Sequence, residues 1–432
     1  GNDDRDEALE HIEKLKERII HRLIFDSYKS KIQSIEKDVI LRVNAFRAEY
    51  LDELPINLQG IIYKTTDIDE RFMRIIAQEF QIPTVQTTLK IQDSSQIILD
   101  GKSNKIIINP NEVDLNEFSR LEKAHYFQIG DHPTYKPSKV EVYASMAHRK
   151  HIEKALSSNW YKGIAPFKTE YMFLTKGRIP TEYEQYVIFK DLFRRSQGRP
   201  VYVRIPDFRE DKPIGHMKGV TTDMNSFADN SLIFSRHLNA IARAAHEENP
   251  DLRMVLPMIR MNDEIEFWKW QIWSSYSSHQ MRVPDVGITV ETESALQYFE
   301  EYDYLNFVLI GLNDLTEEVS DDCDRFSELT VKKFKEIFHP DLRDLHQHYR
   351  RKNKITKHII GGNVLHNPSI FRELLKWGFR NFSIPVDKIK RIEPVITHYN
   401  ETRGRFIGVA EERKRKIQEK TLEKQKSITL NK

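Results

Sequence analysis

At 432 residues the chain exceeds one ordinary domain, and two or three are expected. Its 67 Lys and Arg stand against 65 Asp and Glu, a balance that gives no bulk attraction to nucleic acid or to an anionic membrane. A single cysteine, Cys323, excludes a disulfide framework within the chain and fits a reducing cytoplasm. No apolar run approaches the ~20 residues of a membrane span, and none forms a signal-peptide core.

The opening Gly1-Asn2-Asp3-Asp4 reads as a cloning remnant, with the natural start expected upstream. Residues 1–36 are charged, with Leu9, Ile12, Leu15, Ile19 and Leu23 at helical spacing, and predict an amphipathic helical segment. From Lys37 the pattern changes to short β-rich runs: Asp38–Val43, Gly60–Tyr63, Gln96–Leu99 and Lys105–Asn109. Asp100-Gly101 signals a hairpin between the last two. With the helical pattern Asp69–Phe80, residues 37–110 predict a small α/β domain that contains no histidine. A helical linker is expected over 111–137.

Beyond it, strand-like runs alternate with helical patterns. The first four are Val140–Ala144, Gly163–Phe167, Pro200–Arg204 and Arg253–Pro257; the second four are Val286–Val290, Phe307–Ile310, His358–Gly361 and Asn381–Pro385. Eight such units over roughly 260 residues predict a (β/α)8 TIM barrel over 138–405, in an α/β fold. A charged C-terminal tail, expected to be solvated, fills 406–432.

Two stretches define the expected site, Val286–Glu293 (VGITVETE) and Asn306–Leu315 (NFVLIGLNDL). Each is a buried-strand pattern ending in polar residues, which in a parallel barrel face the ligand-binding mouth. Glu291 and Asp314 then share that mouth, a pair suited to a hard cation such as Mg²⁺. The other strand ends add Lys168 with Glu170, Arg204 with Asp207, Met258 to Arg260, Asn313 and Asn363. Arginine forks beside carboxylates point to a phosphorylated or carboxylated small acid. Pairing of Arg204 with Asp207, and a surface position for Arg325 beside the acidic run Asp321–Asp324, are the purely structural alternatives.

Several segments in register resemble Enzyme I of the bacterial phosphoenolpyruvate–sugar phosphotransferase system and, more widely, the phosphoenolpyruvate-utilising enzymes. Gly163–Phe173 (GIAPFKTEYMF) is similar to the family's "GxxLxRTEFLF", and Pro180–Gln185 (PTEYEQ) to "PTEEEQ". Val201–Asp207 (VYVRIPD), Val286–Thr292 (VGITVET) and Ile310–Thr316 (IGLNDLT) match "VIVRTxD", "IGxMVET" and "IGTNDLT". Glu36–Leu41 and Ile75–Val85 resemble the family's swivelling phosphohistidine domain.

The resemblance implies a phosphoenolpyruvate site. Glu291 and Asp314 would hold Mg²⁺, Arg204 and Asn313 would contact the phosphate, and Arg325 would contact the carboxylate. It also implies a homodimer through the barrel and a helical insert, of which residues 1–36 would be the remnant. The departures fall on catalytic positions. The register places Phe72 where the family carries its acceptor histidine, and Gly361 where "GMCGE" carries a proton-donating cysteine. Lys168 replaces the arginine of "RTE", and the arginine of "GWR" has no counterpart. Three readings follow: a member that binds Mg²⁺ and phosphoenolpyruvate or a related 2-oxo acid without phosphorylating itself, a Mg²⁺-dependent enzyme acting on a 2-oxo acid enolate, or a ligand-free scaffold. For the second, His366, Lys168 and Tyr143 are the candidate acids or bases.

Overall fold

The computed structural model describes residues 38–43, 58–64, 70–125 and 140–402, with breaks at 81, 94, 102, 149–150, 159, 177, 209–223 and 352–355. The expected helical segment 1–36, the end of the linker after 125 and the tail 406–432 lie outside the described residues.

Eight parallel strands close a barrel: β6 (Glu141–Met146), β7 (Tyr161–Lys168), β8 (Val201–Arg204), β9 (Leu252–Leu256), β10 (Asp285–Val290), β11 (Phe307–Gly311), β12 (Lys357–Gly361) and β13 (Asn381–Pro385). These are the eight predicted runs, and the ring closes where β13 pairs with β6. Helices cover the outside, so both faces of the strands are buried and the sequence alternation disappears; all of β8 is buried. Inside, Tyr143, Ala165, Tyr202, Val255, Phe307, Leu309 and Ile359 fill the barrel axis. Below them Lys357 donates to Glu141 at 2.7 Å and also bonds the Tyr143 hydroxyl, closing the amino-terminal end of the barrel. Tyr143 therefore points away from the mouth, which removes it as a candidate acid or base.

Local signals explain how the shell is set. Thr181 starts the helix Glu182–Ser196 by accepting from Glu184 N–H at 3.2 Å, while Glu184 accepts from Thr181 N–H at 2.9 Å. This is a capping box, which ties up two backbone donors at once. Gln185 of the same motif donates to Pro180 O at 3.0 Å and meets His237 Nδ1 at 2.6 Å, so it fastens one outer helix to the next.

Ahead of the barrel, β1 (Val39–Val43), β2 (Leu58–Tyr63) and β3 (Thr84–Gln86) form a parallel sheet. Helix α1 (Glu70–Phe80) makes the crossover from β2 to β3. A separate antiparallel hairpin joins β4 (Ile97–Asp100) to β5 (Lys105–Ile108), as the Asp100-Gly101 signal predicts. Strand β3, which is three residues long and starts directly after Pro83, was not expected. Met73, Ile75, Ile76 and Phe80 bury one face of α1. The Phe80 ring meets Tyr171 of the barrel edge-on at 5.7 Å, so α1 lies over the barrel's carboxyl-terminal end. Phe72 is in its first turn, with a side chain outside the description. Among the described residues no helix is long and apolar enough to cross a membrane.

Candidate active site at the barrel mouth

The carboxyl ends of the strands surround a cavity that opens to solvent. Its lining brings together Lys168, Arg204, Glu291, Asn313, Asp314, Arg325, Gly361 and Asn363, all selected from the sequence. Of the Met258-to-Arg260 segment, Met258 serves the site through its backbone, while Arg260 pairs outside with Glu318 at 3.0 Å.

Each charged group is fixed by its strand. Glu291 follows β10 directly, and its Oε1 accepts from Met258 N–H at 3.0 Å. The next residue, Thr292, donates to Ile259 O at 2.8 Å and caps the following helix. Gly311 ends β11 beside this carboxylate: a Cβ there would stand 2.7 Å from Glu291 Oε2, so only glycine leaves the space open. Asp314 is in the first turn of the helix Leu312–Val319, where the exposed backbone N–H groups favour a carboxylate. Asn313 accepts from Asn363 N–H at 2.7 Å, which ties the β11 loop to the β12 loop.

Neither purely structural alternative for the arginines is what the fold contains. Arg204 bonds Glu170 rather than Asp207, and its Nη1 stands 4.0 Å from Glu291 Oε2. Burial opposes the Arg204 charge, but Glu170, Glu291, Asp314 and Asp207 outweigh it and hold its pKa above the ordinary arginine range. Arg325 is buried, not on the surface, and meets Asp314 at 3.2 Å. Lys168 is paired by Glu79 of α1 at 2.5 Å. His366 follows β12 but does not line the cavity. Burial, with Lys388 and Arg391 nearby, lowers its pKa to about 3, so it is neutral near pH 7 and holds no proton to give from an imidazolium.

Two carboxylates with oxygens on one cavity fit Mg²⁺, which keeps several waters and takes its remaining ligands from a substrate. The charges of the lining balance at three cations (Lys168, Arg204, Arg325) against three carboxylates (Glu79, Glu291, Asp314).

The sequence reading missed Glu79, Thr289, Ser145 and Ser383, all of which line the cavity or pair into it. Thr289 had a signal: it precedes Glu291 by two along a strand and so faces the same side. Glu79 had none, since its partner Lys168 is 89 residues away.

The profile of the PEP-binding domain of PEP-utilising enzymes matches residues 122–401. The phosphoenolpyruvate-protein phosphotransferase of Haemophilus influenzae is 28% identical over 295 residues, covering 61% of this chain and 50% of that protein. The Buchnera aphidicola phosphoenolpyruvate-protein phosphotransferase (subspecies Schizaphis graminum) is 26% identical over 298 residues, with the same coverage. Multiphosphoryl transfer protein 2 of Escherichia coli is 24% identical over 300 residues, covering 62% of this chain and 35% of that protein. The chain spans about half the length of the phosphotransferases it matches. Among solved structures, a citrate lyase from Burkholderia xenovorans gives a TM-score of 0.41 at 15% identity, covering 63% of this chain and 80% of that one, too distant a likeness to bear on function.

Proposed function

Because the chain belongs to the PEP-utilising enzymes through its PEP-binding domain, we propose that its barrel mouth binds Mg²⁺ together with phosphoenolpyruvate or a related 2-oxo acid, and that transfer of the phosphoryl group to a histidine of the β1–β3 unit is lost. The observation that carries the reading is the shared cavity of Glu291, Asp314, Arg204, Arg325 and Asn313.

Glu291 and Asp314 would hold the metal, which when bound would supply Lewis-acid polarisation of a ligand oxygen. Arg204 and Arg325 take ligand oxygens, and their guanidinium forks orient a carboxylate or phosphate in two places at once. Lys168 offers a third cation, as a point charge where the family's arginine offers a fork. Asn313 positions rather than charges the ligand. Phe72 at the acceptor register has no lone pair to attack phosphorus, and Gly361 has no proton to deliver. On this reading the protein is a cytoplasmic homodimer that senses or retains its ligand, with a protein partner as the recipient of that signal.

Calorimetric titration of phosphoenolpyruvate, and of oxalate as an enolate mimic, tests the proposal with and without Mg²⁺. Binding of both is expected only with Mg²⁺ and at least about 100-fold weaker in Glu291→Ala/Asp314→Ala, since removing both ligands removes the metal. Mg²⁺-independent binding, or binding unchanged in that variant, overturns the metal site. Recovery of phosphohistidine after incubation with phosphoenolpyruvate overturns the loss of transfer.

A further inference from the structure

The mouth is charged on one side only. Arg204 ends β8, and β12 lies across the ring from it. The arc from β12 through β13 to β6 contributes Gly361, Ser383 and Ser145 to the cavity, with no charged side chain. Gly361 and Ser383 are register neighbours on adjacent strands. A Cβ at position 361 would stand 2.9 Å from Ser383 Cβ and 3.2 Å from its Oγ, so the serine occupies the room that a side chain at 361 would take. On this arc small groups and hydroxyls line the cavity, above the apolar floor of Leu309 and Ile359.

Three of its polar atoms have unused hydrogen-bonding capacity. Thr289 is 4% exposed, and its Oγ1 has no hydrogen-bond partner among the described residues. The same holds for Asn363 Nδ2, a donor. Ser383 donates its hydroxyl proton to Ala165 O at 2.6 Å, which leaves Ser383 Oγ an acceptor only. A buried polar atom without a partner costs about 1–3 kcal/mol, so these groups favour whatever satisfies them.

A methyl or methylene group satisfies none of them. A carboxylate cannot donate to Ser383, and no cation stands on this arc to neutralise it. A hydroxyl can donate to Ser383 Oγ, or accept from Asn363 Nδ2 or from Thr289 on β10 at the far edge of the cavity. A 2-oxo acid that chelates a metal through its carboxylate and oxo oxygens places its third carbon outside the chelate ring, so that carbon is free to face the neutral arc while the cations hold the carboxylate. Resting on the Mg²⁺ and 2-oxo acid reading above, we infer that the cavity selects a 2-oxo acid carrying a hydroxyl on its third carbon, with Thr289, Ser383 and Asn363 as the residues that select it.

Hydroxypyruvate and pyruvate differ by that one hydroxyl and serve as probes, with oxalate as the control for the metal site. Calorimetry on the full chain with Mg²⁺ should give hydroxypyruvate about tenfold tighter binding than pyruvate, the discrimination expected when one analogue leaves buried polar groups unpaired. Thr289→Val, which keeps the shape and removes the hydroxyl, and Ser383→Ala should each bring the ratio down toward one. Thermal melts of both variants check folding, and either variant alone suffices for the test. Oxalate binding with equal affinity for the two probes overturns this inference and leaves the metal site standing, as does a ratio unchanged in both variants. Failure of all three ligands to bind overturns both readings.

Discussion

The barrel and the β1–β3 unit are both parallel sheets, yet they are enclosed very differently. Barrel strands such as β8 are buried along their whole length, and closure leaves them no edge. Strand β1 has no fully buried residue, and its sheet has three strands. The first arrangement fixes side chains in a ring; the second depends on what it packs against. The two meet through α1, where Phe80 packs on Tyr171, Arg74 lies 5.8 Å from the Phe326 ring centroid and Glu79 pairs with Lys168. The cavity therefore has a bed of barrel residues and a cover, α1, that contributes one charge, Glu79.

The largest effect should come from the bed. Arg204 and Glu170 are a buried ion pair, and removing one partner of such a pair costs about 3–5 kcal/mol. Arg204→Met should lower the unfolding free energy of the barrel by that order, read as a fall in its urea midpoint at unchanged slope, and Glu170→Gln in the same chain should restore most of the loss. Equal loss in single and double variants would show that the arginine acts by packing alone.

That distinction also sets what could be read from the sequence. The eight barrel strands were legible because strands covered on both faces become largely apolar runs, and those of β7, β8, β10 and β11 run into polar residues at or near their ends. The site residues at strand ends followed from the same rule, and the fold brings them to one cavity. The partners of the cations were not legible. Lys168 finds its carboxylate on α1 and Arg204 finds Glu170 at the start of the helix that follows the neighbouring strand, and pairing across such separations depends on packing rather than on local pattern. Strand β3 was missed for the opposite reason: three residues carry too little periodicity to distinguish from a loop.

Acid should separate the two regions next. Residues 37–110 contain no histidine, whereas the barrel's shell buries several. Burial lowers the pKa of His237 to about 3, with Glu170 acting weakly against it, and that of His346 to about 3, with His358 adding to the effect. Both are thus neutral in the fold and gain protons on unfolding below about pH 6.5, their ordinary range. The sign follows: their contribution is complete above pH 6.5 and is lost as pH falls from there toward 3. Each histidine should cost the barrel about 1.4 kcal/mol per pH unit in that window. Hydrogen exchange, corrected for its intrinsic pH dependence, should show β6–β13 losing protection between pH 6.5 and 5 before β1–β5 change. Parallel loss in both regions would mean that they unfold as one.

The smallest effect tests the cover itself. Glu79 holds Lys168 at 2.5 Å, and both side chains are mostly buried, so an incoming anion competes with a carboxylate already in place. Glu79→Gln leaves the lining one charge more positive and frees Lys168 for the ligand. Oxalate with Mg²⁺ should then bind about 3- to 10-fold tighter at low salt, with the gain shrinking as ionic strength rises, because only partly screened charge is involved. If α1 instead completes the site, through Gln78 and the exclusion of water from the cavity, the same change weakens binding. Tighter binding therefore marks Glu79 as a competitor of the ligand, and weaker binding marks α1 as part of the wall that the ligand needs.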